Sequence, residues 1–277
     1  MGLRINTNVA SLSAQRALGI TKNNLDNNLR KMSSGERITR ASDDAAGLAI
    51  SEKLKAHIRG LRQAKRNSED GISLIQTAEG AINEISNIVI RLRELSIQAA
   101  SDTVGDTERG FSNIEFKNLL DEVQRISDGT EFNGRKLLNG TGGLVEIQVG
   151  IHNDATLDRI KYDSTETDTT LESLALTAES IASKEGAQLS LSKLDDALVR
   201  INGTRANLGA LQNRLQSASN TIAIADENFS AANSRIRDVD VAAETADMAK
   251  NNILSQAGVS VLAQANQSPN FALKLLG

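Results

Sequence analysis

Apolar residues recur at every seventh position through the C-terminal half of the chain: Leu194, Ile201, Leu208, Leu215, Ile222, Phe229 and Ile236. Three positions further along each repeat stand Ala197, Thr204, Leu211, Ala218, Ala225, Ala232 and Val239. This spacing lines one stripe of an α-helix and turns it toward a partner helix. A large residue in one place and a usually small one in the other let that partner come close, and a strict seven-residue repeat predicts left-handed winding. A second long helix is predicted over 45–100. Its stripe carries Leu54, Ile58, Leu61, Ile72, Ile75, Ile82 and Val89, with Leu92 and Leu95 shifting it and Lys65, Ser68, Glu79, Ser86 and Arg93 as polar exceptions. Ser42, Asp43 and Asp44 offer N-cap oxygens and negative charge at its start. At 1.5 Å per residue such a helix is about 84 Å long, far beyond an ordinary globular helix. The pattern predicts a mainly α fold: an elongated antiparallel coiled-coil rod of long helices.

Between these helices the periodicity shortens. A helix is expected over 108–128, ended by Gly129 as a left-handed cap, and Asn133-Gly134 and Asn139-Gly140 mark turns. Val145, Ile147 and Val149 alternate with Leu144, Glu146 and Gln148, and a second extended run passes through Ile160 and Tyr162. A small β-hairpin over 144–162 is the natural reading. Residues 163–170, dense in Asp, Glu, Ser and Thr, read as an exposed loop. The extremities are weaker. Ile5, Val9, Leu12, Leu18, Leu25, Leu29 and Met32 form short stripes among asparagines, and Ile253, Val261, Leu262 and Leu273 do so around Gly258 and Pro269. Such arms bury too little apolar surface alone to offset the entropy of ordering, so they are expected to fold only against one another in an assembly.

Composition sharpens this picture. Five Phe, one Tyr and no Trp leave few large rings for a thick core and suit thin helix-on-helix seams. The absence of cysteine excludes disulfides, zinc–thiolate sites and thiol catalysis. No stretch approaches the ~20 apolar residues of a membrane span, and the polar start lacks the apolar run of a secretion signal. A soluble product that leaves the cell by another route is expected. The net charge of −4 is divided: residues 1–66 hold 13 Lys/Arg against 5 Asp/Glu, and the remainder 18 against 30. With no aromatic residue among the basic ones to stack on bases, pairing with acidic protein surfaces is expected, and neither nucleic acid nor membrane.

Nothing in the chain assembles a catalytic constellation, so no enzyme activity, cofactor or metal is expected. The two histidines, His57 and His152, are too few for a metal cluster unless carboxylates join them. The Gly140–Gly143 run lacks the Lys-Ser/Thr of a phosphate loop. Asp238 and Asp240 have no Gly and Glu to complete a calcium loop.

The start MGLRINTNVASLSAQRAL, the run from Ser33 to Ile85, the turn GTEFNG and the close from Asn213 onward resemble bacterial flagellins along most of the chain. The resemblance implies an inner coiled-coil layer from 1–43 and 236–277, with Ile5, Val9, Leu12, Leu25, Leu29, Val261, Leu262 and Leu273 assembling it. It implies a rod domain over 44–235 and no outer variable domains. It further implies a secreted helical polymer, the extracellular filament of bacterial motility. The expected partners are other flagellin copies, hook–filament junction proteins, the filament cap, a cytosolic flagellin chaperone and the flagellar type III export apparatus, which needs no signal peptide. Arg91, Arg93, Leu95 and Glu115 match positions through which an animal Toll-like receptor reads many flagellins; the pattern departs at Ile90. The alternatives are a hook–filament junction protein of the same superfamily and a secreted coiled-coil adhesin.

Overall fold

The computed structural model describes residues 7–274, with side chains described for 7–267. Among these residues five helices occur: α1 (Val9–Ser34), α2 (Ala45–Ala99), α3 (Asp106–Gly129), α4 (Lys184–Arg237) and α5 (Val241–Lys274). Two antiparallel strand pairs lie between α3 and α4. β1 (Glu131–Phe132) pairs with β2 (Arg135–Lys136), and β3 (Leu144–Gln148) with β4 (Arg159–Asp163), Ile147 opposite Ile160. The chain divides into two compact units, one of His57–Glu227 and one of Met1–Ala56 with Asn228–Gly277.

Within the His57–Glu227 unit, α2 and α4 run antiparallel. Arg62 bonds Asp226, an added Cβ on Gly71 would meet Leu215, and Arg93 bonds Asp195, so partners in α4 fall as positions in α2 rise. The buried stripe of α2 is Leu61, Ala64, Ser68, Gly71, Ile75, Ala78, Ile82, Ile85, Val89, Leu92, Ser96 and Ala99, in unbroken steps of three and four. This departs from the expected stripe in two ways. Leu92 continues the frame without shifting it, and Leu54 and Ile72 are only half-buried. Small residues hold the seats a search for large apolar residues passes over. Ser68 and Ser96 are buried at no polar cost, since their hydroxyls donate to the carbonyls of Ala64 and Leu92 at 2.9 and 2.8 Å.

The end of α2 is finished by a side chain from α3. Arg109 is buried, and its guanidinium donates to the carbonyls of Ala99, Ser101 and Val104 while pairing with Asp106 at 2.6 Å. The bond to Ala99 supplies a partner for a carbonyl at the end of the helix, and the other two fasten the turn that follows. The far end of α3 differs from expectation. Gly129 is the last helical residue and does not take a left-handed φ. Thr130 follows in extended backbone, and both its N–H and its hydroxyl donate to Ile126, so no left-handed glycine is required. The left-handed pair is instead Asn133 (φ 51°) and Gly134 (φ 77°), the two positive φ values of the turn that twists β1 onto β2.

Residues 163–170 are not the exposed loop their composition suggests. Ser164, Thr167 and Thr169 are buried, and only Thr165 and Glu166 are exposed. The hydroxyls of Thr167 and Thr169 have internal partners, whereas the buried Ser164 hydroxyl has none. Thr167 donates to the Leu137 carbonyl at 2.9 Å, as does Tyr162 at 2.7 Å, and Ser127 and Thr169 share a bond of 2.9 Å. Phe116, Leu120, Val123, Leu137, Leu138 and Leu176 are buried in the same unit.

β3 and its following turn lie along α2. An added Cβ on Gly71 would stand 2.7 Å from Ile147 Cδ1, Asn67 Nδ2 donates to the Gln148 carbonyl at 3.1 Å, and an added Cβ on Gly60 would touch Ile151 at 3.0 Å. Two glycines spaced along one helix thus form the shallow seat on which the hairpin rests.

In the other unit α1 and α5 are antiparallel partners. Asn8 Nδ2 donates to the Ala265 carbonyl, Leu18 lies against Gly258, and Lys31 stands 3.8 Å from Glu244. The arms are therefore helical and paired within one chain, where the sequence alone suggested pairing only in an assembly. Two capping aspartates start the helices that follow each bend: Asp44 accepts from Gly47 N–H, and Asp240 from Ala242 and Ala243 N–H. The long heptad ends here, because α4 stops at Arg237 and Val239 lies beyond it, its N–H donating to the Gly35 carbonyl. Arg237 joins Glu52 and Glu36 (2.9 Å), and these two carboxylates, Glu52 foremost, hold its guanidinium above its ordinary pKa.

Candidate assembly and recognition surfaces

The α4 seam buries Leu194, Ile201, Leu208, Leu215 and Ile222, while Phe229 and Ile236 are half-buried. On α2, Ile58, Leu61, Ile75 and Ile82 are buried. These residues face inward and fix the helices; they do not form the outward surface.

That surface is clearest on α2 and α3. Arg91 donates through Nε and Nη2 to Glu115 Oε1 at 3.0 and 2.9 Å and through Nη1 to Glu94 at 3.0 Å, which raises its pKa, Glu115 contributing most. Arg93 reaches across to Asp195 at 2.6 Å. These charges are largely in water, so each pair contributes little to stability and remains free to exchange partners. Leu95, by contrast, is 2% exposed and belongs to the core; of the four residues matched to receptor recognition, only Arg91, Arg93 and Glu115 present their heads outward. Beside them Ile90, Ile97, Ile114 and Phe111 are exposed, Phe111 to 67%. These positions fall outside the heptad seams. The signal was there as apolar residues falling between the seam positions of an otherwise polar face.

The arms expose more. Val9 is 64%, Leu12 53% and Val261 54% exposed, and Leu29 is exposed as well, whereas Leu25 and Leu262 are half-buried. In α1 the buried residues are the polar Ser11 and Asn28. Ser11 Oγ bonds Asn266 Oδ1 at 2.8 Å. The pair of arms thus combines buried polar contacts with half-buried Leu18, Leu25 and Leu262, and turns Val9, Leu12, Leu29 and Val261 out. Ile5 and the side chain of Leu273, both named for assembly, lie outside the described residues.

Such a chain is a helical subunit with apolar faces on its terminal helices, and no helix of its described residues is long and apolar enough to cross a membrane. Its sequence matches the bacterial flagellin N-terminal helical region over residues 5–142 and the C-terminal helical region over 191–276. A flagellin of Halalkalibacterium halodurans is 46% identical over 98% of this chain and 99% of its own length. The flagellar filament 30.7 kDa core protein of Treponema maltophilum is 43% identical over 98% and 99%. The crystal structure of Bacillus cereus flagellin, 34% identical, aligns over 57% of this chain and 88% of that one with a TM-score of 0.51. The chain belongs to the bacterial flagellin family, in a short form without a variable domain. Its function is that of a structural subunit of the flagellar filament, which serves motility.

Proposed function

We propose that polymerisation completes what the single chain leaves open at its ends. The carrying observation is the inverted character of the α1–α5 pair, whose buried residues in α1 are polar while Val9, Leu12, Leu29 and Val261 face outward. Neighbouring copies stacked around a filament axis cover these residues, and the burial stabilises the arms by mass action. Contacts between unlike surfaces that do not close into a ring propagate as a helix. The filament lies outside the cell, and the chain reaches it through the flagellar export apparatus, kept from premature association by a cytosolic chaperone and added beneath the filament cap above the hook–filament junction proteins. The inner layer is assigned to 1–43 with 236–277 and the rod domain to 44–235.

Seeded assembly followed by electron microscopy tests this. Leu12→Asp and Val261→Asp each place a charge on the outward face and abolish filament growth, while the cooperative unfolding of residues 57–227 stays as in the parent. Normal filaments from both variants would refute the reading.

The three outward charged heads support a second role. Arg91, Arg93 and Glu115 form a surface for recognition of the monomer by an animal Toll-like receptor, with Leu95 acting only as core support. Reporter-cell activation by Arg91→Ala monomer falls well below that of the parent; unchanged activation would exclude the role.

A further inference from the structure

Asparagine is followed by glycine at three places in the chain: Asn133-Gly134, Asn139-Gly140 and Asn202-Gly203. This dipeptide is the one most prone to spontaneous loss of the side-chain amide, because glycine has no Cβ to hinder its own nitrogen as it approaches the asparagine carbonyl. The reaction needs an amide side chain able to turn, a glycine N–H without a hydrogen bond, and backbone that opens in contact with water. The fold treats the three pairs differently. Asn202-Gly203 lies within α4, beside the fully buried Ile201. The Gly203 N–H belongs to the helical ladder, and the interior of a long seam helix opens rarely. Asn139 is half-buried, and its Oδ1 accepts from the Thr141 N–H at 3.1 Å and the Thr141 hydroxyl at 2.7 Å. That turn fixes the amide and orients its oxygen toward Thr141.

Asn133 meets all three conditions. It and Gly134 are exposed, and among the described residues neither the Asn133 side chain nor the Gly134 N–H has a hydrogen-bond partner. The turn is closed by a short ladder. Phe132 pairs with Arg135, the Leu137 N–H donates to the Thr130 carbonyl at 3.1 Å, and Lys136 meets Glu131 in an exposed ion pair of 2.8 Å. A two-stranded ribbon this short opens readily, and opening lets the Gly134 nitrogen swing toward the side-chain carbonyl.

We propose that Asn133 is a site of spontaneous deamidation, the one of the three Asn-Gly pairs that the folded chain leaves reactive. The Gly134 nitrogen forms a bond to Asn133 Cγ, and the Cγ–Nδ2 bond breaks. The amide leaves as ammonia, taking up through water the proton that the Gly134 nitrogen gives up. Water then opens the cyclic imide at either carbonyl, so the product is aspartate or isoaspartate. The two differ in effect. Aspartate keeps the backbone length, tolerates the left-handed φ of 51° and adds a negative charge. Isoaspartate runs the backbone through Cβ and Cγ and lengthens it, so Phe132 and Arg135 no longer pair in register. Leu137 stands just beyond, fully buried, with its carbonyl accepting from Tyr162 and Thr167, and the loosening reaches these packed residues.

The test incubates the full-length folded monomer in mildly alkaline buffer and follows the three Asn-Gly peptides by mass spectrometry, with isoaspartate distinguished from aspartate by electron-transfer fragmentation. Asn133 converts about tenfold or more faster than Asn139 and Asn202, since both of those react only after rarer local opening. It gives both products. In urea, where the fold no longer separates them, the three rates converge. A folded-state rate at Asn133 no faster than at the other two overturns the proposal. So does the same ranking in urea, which places the cause in the neighbouring sequence, and so does aspartate without isoaspartate, which excludes the imide.

Discussion

Two glycines nine residues apart on α2 provide a controlled test of how the hairpin sits. Gly80 is exposed, and a Cβ added there meets nothing within 4 Å. Gly71 is buried, and its added Cβ would stand 2.7 Å from Ile147 Cδ1 and 3.3 Å from Leu215 Cδ1. Alanine at either position gains the same helix preference, about 0.8–1 kcal/mol. At position 80 that gain is realised in full. At position 71 it is opposed by the displacement of Ile147, itself buried between the helix and β4, and inserting a methyl into such a packed site costs about 1–3 kcal/mol. Gly80→Ala therefore stabilises, while Gly71→Ala is neutral to destabilising, leaving the two variants about 1–3 kcal/mol apart. For a unit of this size that is a gap of several degrees, at about 2–4 °C per kcal/mol. Thermal unfolding of the soluble monomer by circular dichroism measures it. If Gly71→Ala stabilises as much as Gly80→Ala, the hairpin does not rest on α2 and the seat described for it is wrong.

Further outcomes follow from the same contacts. Leu208→Ala removes a fully buried seam residue of α4 and lowers stability by about 2–5 kcal/mol in urea unfolding. Arg109→Ala leaves the carbonyls of Ala99, Ser101 and Val104 without their donor, a loss of about 1–3 kcal/mol by the same assay. Asp154 is held below its ordinary pKa of 3.8 chiefly by the Thr156 hydroxyl, and Asp163 chiefly by the Thr165 N–H. Lowered carboxylates stabilise above their unfolded pKa and lose that effect as pH falls through the folded value, so amide protection in both turns holds at pH 5 and declines only below about pH 4. Tyr162 is shifted the other way by burial. Its contribution is present below the ordinary value of 10.0 and is lost as pH rises beyond it, which near-ultraviolet spectra follow.

Much of the fold was legible in the sequence because a helix seam is a one-dimensional pattern. The five large buried residues of α4 are also the most regular apolar repeat in the chain. On α2 the pattern is less legible, since Ser68, Gly71 and Ser96 occupy seam positions through their small size, a property that hydropathy does not record. Residues 163–170 misled for a related reason. Hydroxyls read as solvent-exposed until the carbonyls that satisfy them, at Leu137 and in the neighbouring turn, are brought near by the fold. Asn133-Gly134 announced its turn, because few other residue pairs take two positive φ values. The ring contact of His57 with His152 was invisible, as it depends on the register of the hairpin along α2. The outward apolar residues of the arms were visible as short stripes, but their outward direction was not.

The central claim is that the arms reach full stability only in the polymer. Hydrogen exchange compared between monomer and filament tests it most directly, segment by segment. The account predicts that amides of α1 and α5 exchange rapidly in the monomer and become strongly protected in the filament, while those of the α2–α4 seam within 57–227 are protected in both. Equal protection of the arms in monomer and filament would contradict it.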